Sequence, residues 1–371
     1  PDSEYRPVIP LAIPDLRGRE IELLTQCVED NWVSSAGPFV TGFEEQIAAL
    51  AECQDAVAVV NGTAALHLAL LSAGVAPGAR VIVPDFTFIA TANAVCQANA
   101  QLMLVDVSPQ SWTLDPELVA GILDRPDHGV AAVIAVHALG HPADMDALAK
   151  LCHAQGLPLI EDAAGAIGAL YKGRPVGGLG DIGIFSFNGN KTVTAGGGGM
   201  IVTDRSDWAE RARHLSTQAR ASDAYTHDSL AFNYRMTNVN AAIGLAQLER
   251  LDEMVATKQA IAARYDAALI DRDDIELMPR LDWAVHNCWL YSVRCRDRSA
   301  AADLQRHLNA AGVGARLFWQ SMSSQPPLSG APTVLRGVSE GLSGTMVSLP
   351  CSSNLSEEAQ GQVIAALESW R

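Results

Sequence analysis

The sequence lacks a long apolar run, an excess of positive charge, and cysteines at metal-binding spacing. Its longest apolar run, Val130–Val136, is far too short to cross a bilayer. The 26 lysines and arginines against 42 aspartates and glutamates give a formal net charge of −16, which argues against nucleic-acid binding. The cysteines have no CxxC spacing, so we expect buried thiols rather than disulfides or zinc ligands at positions 27, 53, 96, 152, 288, 295 and 351.

The start of the chain also lacks the apolar stretch of a signal peptide. Prolines and charges are spread through its first residues, PDSEYRPVIPLAIPDLRGRE. We therefore expect a cytoplasmic protein that has no membrane partner. With 371 residues, of which 49% are hydrophobic and 18% charged, the chain can bury a large core, and its length predicts two domains.

Residues 39–250 alternate between helical and strand-like patterns. The strand-like runs are DAVAVV, ARVIVPDFTF, AQLMLVDV, GVAAVIAVH and LPLIEDAA. Strands separated by helices predict an α/β fold with a mostly parallel central sheet flanked by helices. We predict a large domain at 1–250 and a smaller α+β domain at 251–371. Ligands of such sheets bind at the carboxyl ends of the strands, where polar residues are therefore candidates for a site.

The first such candidate is the segment Asn61-Gly62-Thr63-Ala64, between the strand DAVAVV and the helix AALHLALL. A junction of this kind offers free N–H groups and the positive end of a helix dipole, which together can bind an anion. An ordinary helix N-cap by Thr63 explains the same residues equally well. The sequence leaves both interpretations open.

Other candidates follow later strands. Asp162 ends the run LPLIED, where it could be a metal ligand, a general base or the partner of a cationic ring. A solvated loop acid or a helix cap is the simpler alternative. Phe88 is a core residue or a flat ring that stacks on a ligand. His137 and His141 are four residues apart, but Gly140 and Pro142 argue against one helix face and no third ligand is evident, so we expect no metal site there.

Lys191 lies in the segment FSFNGNKTVTAGGGGM, after a strand-like run and before four consecutive glycines, Gly196 to Gly199. A lysine taken alone is most often solvated. An amine held among other groups can instead have a lowered pKa and form a Schiff base with a carbonyl. Four glycines in a row indicate that the backbone approaches something closely or adopts positive φ.

Neither of two common nucleotide-binding motifs fits this region. A Walker A loop needs glycine directly before Lys-Thr, and Asn190 stands there. Gly178, Gly180 and Gly183 match the dinucleotide pattern G-x-G-x-x-G, with Asp204 about 20 residues on. These glycines precede the strand DIGIFSF instead of leading from a strand into a helix, so we reject the match.

The candidate set has one consistent chemical meaning. It comprises an anion site at a helix N-terminus, a strand-end acid, an aromatic face and a lysine that can form a Schiff base. Pyridoxal phosphate needs all four, for its phosphate, its ring nitrogen, its ring face and its aldehyde.

The sequence resembles the DegT/DnrJ/EryC1/StrS sugar aminotransferases, which are fold-type I pyridoxal phosphate enzymes. The resemblance covers roughly residues 32–252 and continues in the C-terminal segment SLPCSSNLSEE. It is carried by WVSSAGPFVTGFEEQIA, NGTAALHLAL, PDFTFIATANAV, GHPADMDAL, IEDAAGAIGALYKG, GDIGIFSFNGNKTVTAGGGGMIVTD and FNYRMTNVNAAIGLAQLERLD. The segments NGTAALH and FNGNK are most similar to the branch that aminates UDP-linked 4-keto-6-deoxy-hexoses on the way to bacillosamine- or legionaminic-type sugars.

The resemblance implies a role for each candidate. Lys191 forms the Schiff base, Asp162 pairs with the pyridine nitrogen and Phe88 stacks on the ring. The phosphate is held by the residues Gly62, Thr63, Ala64 and Ser186. FNYRM implies that Asn233, with Arg235, reaches the cofactor of the neighbouring subunit, and therefore a homodimer with shared active sites.

Two positions depart from the family pattern. Gly165 stands where the family often has Gln, His or Glu, and Asn188 stands where it often has His. Both positions border the sugar, so Asn188 is a candidate substrate residue. Relatives that carry His in place of the lysine are dehydratases, and Lys191 argues against that chemistry here.

The resulting hypothesis is a ping-pong transamination from L-glutamate to a nucleotide-linked, UDP by resemblance, 4-keto-6-deoxy-hexose. Lys191 acts as general base and acid in the proton transfer. One rival is a nucleotide-dependent oxidoreductase, which would rest on the segment GGLGDIG. The other is a non-catalytic regulator that kept the fold.

Overall fold

The computed structural model describes residues 9–222 and 225–370. Its helices are α1 (Glu20–Glu29), α2 (Pro38–Leu50), α3 (Gly62–Ser72), α4 (Ile89–Gln97), α5 (Pro116–Leu123), α6 (Met145–Ala154), α7 (Ser206–Ser216), α8 (Asn238–Leu248), α9 (Leu251–Leu269), α10 (Arg298–Ala310), α11 (Val338–Leu342) and α12 (Glu357–Ser369). Within these described residues, no helix combines the length and the apolar character needed to span a membrane.

The strands fall into three sheets. They are β1 (Asp55–Val59), β2 (Arg80–Pro84), β3 (Gln101–Val105), β4 (Val130–Val136), β5 (Leu159–Asp162), β6 (Leu170–Tyr171), β7 (Arg174–Pro175), β8 (Ile182–Ser186), β9 (Gly199–Thr203), β10 (Ile275–Glu276), β11 (Ala284–Val285), β12 (Tyr291–Cys295), β13 (Arg316–Leu317), β14 (Thr333–Val334) and β15 (Met346–Leu349).

The largest sheet has the strand order β1-β9-β8-β5-β4-β2-β3-β14. The strand β9 is antiparallel to both of its neighbours, and the other pairs are parallel. Since the strands are short β-branched runs separated by helices, this arrangement confirms the predicted α/β class with a mostly parallel sheet.

Both faces of the large sheet are covered, because successive side chains of each strand point to opposite sides. Val81 and Val83 of β2 pack in the core formed with α3, α4 and α7. Ile82, between them, packs on the other face with residues of α5 and α6. Near β1 that second face is covered by α2 and α8. Strands buried on both sides explain the nearly continuous apolar runs in the sequence.

The carboxyl ends of the parallel strands meet at one edge of this sheet. Asp162, the last residue of β5, is paired in register with Val136 of β4 and Ile184 of β8. The helix α3 begins just after β1, and Ser186 ends β8. The candidate residues of separate sequence segments are thus brought to the same edge, as the carboxyl-end rule predicts.

Residues after Leu251 contribute to all three sheets, and β11 pairs with β6 in the smallest of them. The strands β10, β12, β15 and β13 form an antiparallel sheet of their own, whose core includes residues of α9, α10 and α12. In contrast, β14 joins the large sheet, with Thr333 paired in parallel to Leu104 of β3. The division into domains at 1–250 and 251–371 stays a prediction.

Candidate active site

A cavity of about 460 Å³ opens at the carboxyl edge of the large sheet. Seven of the residues singled out from the sequence line it, and they are Gly62, Thr63, Phe88, Asp162, Ser186, Asn188 and Lys191. They come from the ends of different strands and from the first turn of α3. The cavity therefore unites groups that are far apart in the sequence, as expected of a ligand site in an α/β protein.

The N-terminus of α3 faces this cavity with unused donors. The residue that caps the helix is Asn61, whose Oδ1 accepts the N–H of Ala64 at 2.8 Å, so the alternative of a Thr63 cap was wrong. Among the described residues, the N–H groups of Gly62 and Thr63 have no hydrogen-bond acceptor. They lie at the positive end of the helix dipole and can bind an anion.

Ser186 lies directly against this helix terminus. A Cβ added to Gly62 would be 2.9 Å from the Cβ of Ser186, closer than real Cβ contacts come. Glycine at 62 is thus required for the serine hydroxyl and the helix N–H groups to surround one small anion. The predicted phosphate contact of Ala64 stays a prediction, because its own N–H is used by Asn61.

The four glycines at 196–199 allow close backbone packing at the N-terminus of α3. Gly196 and Gly198 have φ of 73° and 143°, in the region that favours glycine. A Cβ on Gly199 would lie 2.5 Å from the carbonyl carbon and oxygen of Asn61. The run therefore lets β9 pass against the backbone that carries the N-terminus of α3.

Asp162 is buried and held by two hydroxyl groups in series. Thr91 Oγ1 donates to Asp162 Oδ2 at 2.8 Å, and Thr87 and Thr91 share a hydrogen bond of 2.9 Å between their hydroxyls. The N–H of Ala164 donates to Oδ1 at 3.2 Å. Burial raises the pKa of Asp162 above its usual value, and these hydrogen bonds and the charge of Lys191 offset only part of the increase. A desolvated carboxylate of this kind favours a cationic group opposite it.

Lys191 reaches into the cavity from the turn after β8. Its Nζ lies 3.5 Å from the ring centroid of Trp289. Burial lowers the pKa of Lys191 to about 7, and the nearby charge of Asp162 opposes this decrease. A substantial fraction of the amine is therefore uncharged at neutral pH, which is the form that attacks a carbonyl.

Trp289 was not predicted as a site residue. It lies almost 100 residues after Lys191 in the sequence, and only the fold brings it to Lys191. Its indole explains the departure at Gly165, because a Cβ on Gly165 would lie 2.4 Å from Trp289 Cε3. A larger residue at 165 is excluded while the indole occupies this space.

The remaining predicted residues lie at the rim or outside the cavity. Phe88 lines it and is 55% exposed, and Asn188 lines it with an exposed side chain. Asn233 is exposed and Arg235 forms an ion pair with Glu44, and neither lines the cavity among the residues described. Their predicted contacts with a neighbouring subunit stay predictions.

The segment of Gly178 to Gly183 has a structural role inside the subunit. The N–H groups of Leu179 and Gly180 donate to Glu161 Oε2 at 2.8 and 3.1 Å. His137 Nδ1 accepts the N–H of Ala143, so its Nε2 carries the hydrogen that donates to Glu161 at 2.7 Å. The glycine-rich segment thus binds an internal carboxylate, which supports the rejection of a dinucleotide motif.

The DegT/DnrJ/EryC1/StrS aminotransferase family matches residues 14–368, nearly the whole sequence. The chain belongs to this family.

Individual relatives agree with this assignment over their full lengths. The chain is 38% identical to EpsN of Bacillus subtilis, named as a pyridoxal phosphate-dependent aminotransferase, over 96% of this chain and 94% of EpsN. It is also 38% identical to a GDP-perosamine synthase of Caulobacter vibrioides, with 98% of each covered. A crystal structure of S. venezuelae DesV has a TM-score of 0.89 at 32% identity, covering 97% of this chain and 98% of that one.

As a member of this family the chain is a pyridoxal phosphate-dependent aminotransferase, and the predictions of family, fold type, enzyme class and cofactor are confirmed. The cavity fits that cofactor on its own evidence. Unused N–H groups beside a serine suit a phosphate, the buried Asp162 suits a cationic ring nitrogen, and Lys191 suits an aldehyde. The oxidoreductase and regulator alternatives are therefore set aside.

Proposed function

We propose that this aminotransferase transfers an amino group from L-glutamate to the keto carbon of a nucleotide-linked 4-keto-6-deoxy-hexose. The observation that carries the proposal is the meeting of Lys191, Asp162 and the open N-terminus of α3 in one cavity. Such a cavity holds a phosphate, a cationic ring and a reactive amine at the same time, and it has further room for a substrate.

Binding of the cofactor divides among three sets of groups. Gly62, Thr63 and Ser186 hold the phosphate through N–H and O–H donors. Phe88 covers one face of the ring, and the carboxylate of Asp162 holds a proton on the ring nitrogen. Thr91 keeps this carboxylate in place, since its hydroxyl hydrogen is committed to Oδ2.

Catalysis then depends on two protonation states. When bound, pyridoxal phosphate supplies an electron sink that stabilises negative charge on the substrate carbon. Lys191 accepts a proton from a substrate carbon and returns it, because its pKa of about 7 allows both forms at neutral pH. A cationic ring nitrogen opposite Asp162 would favour the ionised carboxylate, against the increase in its pKa that burial causes.

The mouth of the cavity supports a nucleotide-linked substrate. Trp319 and Phe318 lie with ring centroids 4.3 Å apart, and Phe88 and Trp319 with centroids 6.3 Å apart. Flat side chains of this kind stack on bases, and the exposed Arg316 at the same rim suits a diphosphate. Asn188 is the candidate contact to the sugar.

The nucleotide has two candidates. The resemblance in NGTAALH and FNGNK favours UDP. Three relatives, at 38%, 36% and 39% identity, are named GDP-perosamine synthase, which favours GDP. We retain UDP as the proposal and GDP as the second candidate.

The experiment incubates the protein with pyridoxal phosphate, L-glutamate and either UDP- or GDP-linked 4-keto-6-deoxy-hexose. We expect a 4-amino sugar nucleotide by mass spectrometry, together with one equivalent of 2-oxoglutarate. Product from the GDP substrate alone would replace UDP by GDP. No product from either substrate, with the cofactor bound, would contradict the proposed substrate class.

We also propose that the chain acts as a cytoplasmic homodimer with shared active sites. Large apolar side chains are exposed on the single subunit, among them Leu230 at 98%, Val33 at 50% and Trp32 at 47%. Leu230 lies close in sequence to Asn233, which is exposed and does not line the active-site cavity of its own subunit. A second copy would cover these residues and receive Asn233 at its cofactor.

A further inference from the structure

The amine of Lys191 lies over an aromatic face. Nζ is 3.5 Å from the centroid of the Trp289 ring, well inside the range of cation–π contacts. Trp289 lines the active-site cavity and is only 7% exposed, so the contact is shielded from water. A desolvated contact of this kind is stronger than one at the surface.

The indole is fixed by groups of the segment around Lys191 and by its own loop. Its Nε1–H donates to the carbonyl oxygen of Asn190, the residue before Lys191, at 2.8 Å. Its backbone N–H donates to Asn287 Oδ1 at 2.9 Å. Asn287 in turn donates through Nδ2 to the carbonyl oxygens of Gly165 and Ile167, at 3.0 and 2.9 Å. The ring position is therefore set by the hydrogen bond to Asn190 and, through Asn287, by the loop that follows Asp162.

The same loop leaves the exact space that the ring needs. Gly165 has no side chain, and a Cβ there would lie 2.4 to 3.0 Å from three atoms of the indole. Ring and glycine thus form a matched pair, in which the missing side chain permits the position of the ring over Lys191.

We propose that the indole of Trp289 is the resting place of the Lys191 amine when that amine is neither bound to the cofactor nor transferring a proton. This inference rests on the proposed function, because a transaminase frees its lysine in every cycle and must recapture it. Trp289 is a positioning residue, since it acts through Lys191. The ring keeps the flexible lysine chain inside the cavity, and its negative face stabilises the ammonium form against burial.

The test measures the protonation of Lys191 in the cofactor-free protein. Trace acetylation by acetic anhydride, followed by mass spectrometry of the Lys191 peptide, gives the pH midpoint at which the amine becomes reactive. Asp162, His137 and Arg316 are the other ionisable groups that line the cavity, and they stay unchanged in all variants.

Two substitutions separate the ring face from the hydrogen bond. Trp289→Phe and Trp289→Leu both lose the Nε1–H bond to Asn190, but only phenylalanine keeps an aromatic face. We expect the midpoint to stay near the native value in Trp289→Phe and to fall by roughly one pH unit in Trp289→Leu. Equal midpoints in the two variants would overturn the proposal.

Substitution of Gly165 gives an independent test of the proposal. Gly165→Ala should push the indole off Lys191 and lower the midpoint as Trp289→Leu does, but should have no further effect in the Trp289→Leu background. An additive effect, or a native midpoint in Gly165→Ala, would contradict the matched pair. Trp208→Leu is the control, because Trp208 lies outside the cavity, with its ring centroid 4.6 Å from Arg205 Cζ. Its loss should leave the midpoint of Lys191 unchanged.

These measurements need no cofactor, so their outcome is independent of the proposed reaction. Failure to bind pyridoxal phosphate would contradict the proposed function and leave the labelling result standing. Normal transamination with equal midpoints in both Trp289 variants would overturn only the resting-place proposal.

Discussion

At the scale of the residue, reactivity depends on the burial of one amine. The pKa of Lys191 falls to about 7 because the cavity desolvates its charge, and Asp162 limits the decrease. The lysine can therefore act as a nucleophile and as a base at neutral pH without a separate general base.

The first prediction concerns Lys191→Ala. We expect transamination to fall by at least about 10³-fold, because both the covalent attachment and the proton transfer are lost. The rate of 2-oxoglutarate formation measures this loss. Lys172→Ala is the matched control, since that exposed lysine pairs with Asp146 and does not line the cavity, and it should keep native activity. Retained turnover in Lys191→Ala would remove this lysine from the mechanism.

At the scale of the element, the site depends on the contact between β9 and the N-terminus of α3. Gly199 begins β9 and packs against the backbone of Asn61, so that the free N–H groups of the helix are held at the edge of the sheet. The phosphate site thus depends on the contact between β9 and α3 as well as on the residues that line it.

The second prediction is that Gly199→Ala weakens cofactor binding. The added Cβ would meet Asn61 at 2.5 Å and the amide nitrogen of Gly62 at 2.8 Å, so α3 must shift. We expect a loss of roughly 1–3 kcal/mol in stability and a higher dissociation constant for pyridoxal phosphate, measured by fluorescence titration. In Gly189→Ala nothing lies within 4 Å of the new Cβ, and binding should be native. Native binding in Gly199→Ala would contradict the proposed contact.

Several of the strands and helices could be predicted from the sequence. The first five strands lie where the β-branched runs placed them, and α3 lies at the predicted helix AALHLALL, because local patterns determine these elements. The strand β14 could not be predicted, since its two residues gain their structure only by pairing with β3.

Some residues of the candidate site could likewise be predicted from the sequence, and others could not. Lys191 and Asp162 follow strands directly, so the carboxyl-end rule finds them. Trp289 approaches Lys191 only through the packing of a distant loop, and no local signal marks it. Whether Asn61 or Thr63 caps the helix depends on which residue is the first with helical geometry. The sequence leaves this start uncertain by two residues.

At the scale of the whole molecule, a buried carboxylate ties the two ends of the chain to α9. Asp15 accepts hydrogen bonds from Arg17, from Arg250 just before α9, and from Ser353 near the C-terminus. The hydrogen bond from Arg17 is the main cause that holds the pKa of Asp15 well below its usual range, against the opposing effect of burial.

The third prediction follows from that shift. A carboxyl with a lowered folded-state pKa adds stability that is complete above its unfolded pKa and is lost as the pH falls. Asp15→Asn should therefore lower the free energy of unfolding by about 2 kcal/mol at pH 7, measured by urea denaturation. The difference from the native protein should shrink below about pH 4. Asp146→Asn, in an exposed ion pair, should change stability by less than about 1 kcal/mol. A difference that is constant from pH 7 to pH 3 would contradict this role of Asp15.

The fourth prediction concerns shared active sites. If Asn233 serves the neighbouring subunit, Asn233→Ala and Lys191→Ala are each impaired as homodimers. A mixed dimer then contains one site with an intact Lys191 and an intact Asn233 from the other subunit. We expect refolded mixtures to regain activity that neither variant has alone, and sedimentation to give twice the mass of 39.3 kDa. No recovery in a verified mixed dimer would contradict the sharing of sites through Asn233.

The central claim is that Lys191, Asp162 and the N-terminus of α3 form a working pyridoxal phosphate site. The most direct measurement is the absorbance spectrum of the purified protein with pyridoxal phosphate, before and after addition of L-glutamate. We predict a visible band of the lysine-bound cofactor that bleaches to the pyridoxamine form when glutamate is added. Absence of the visible band in the native protein would contradict the account of this site.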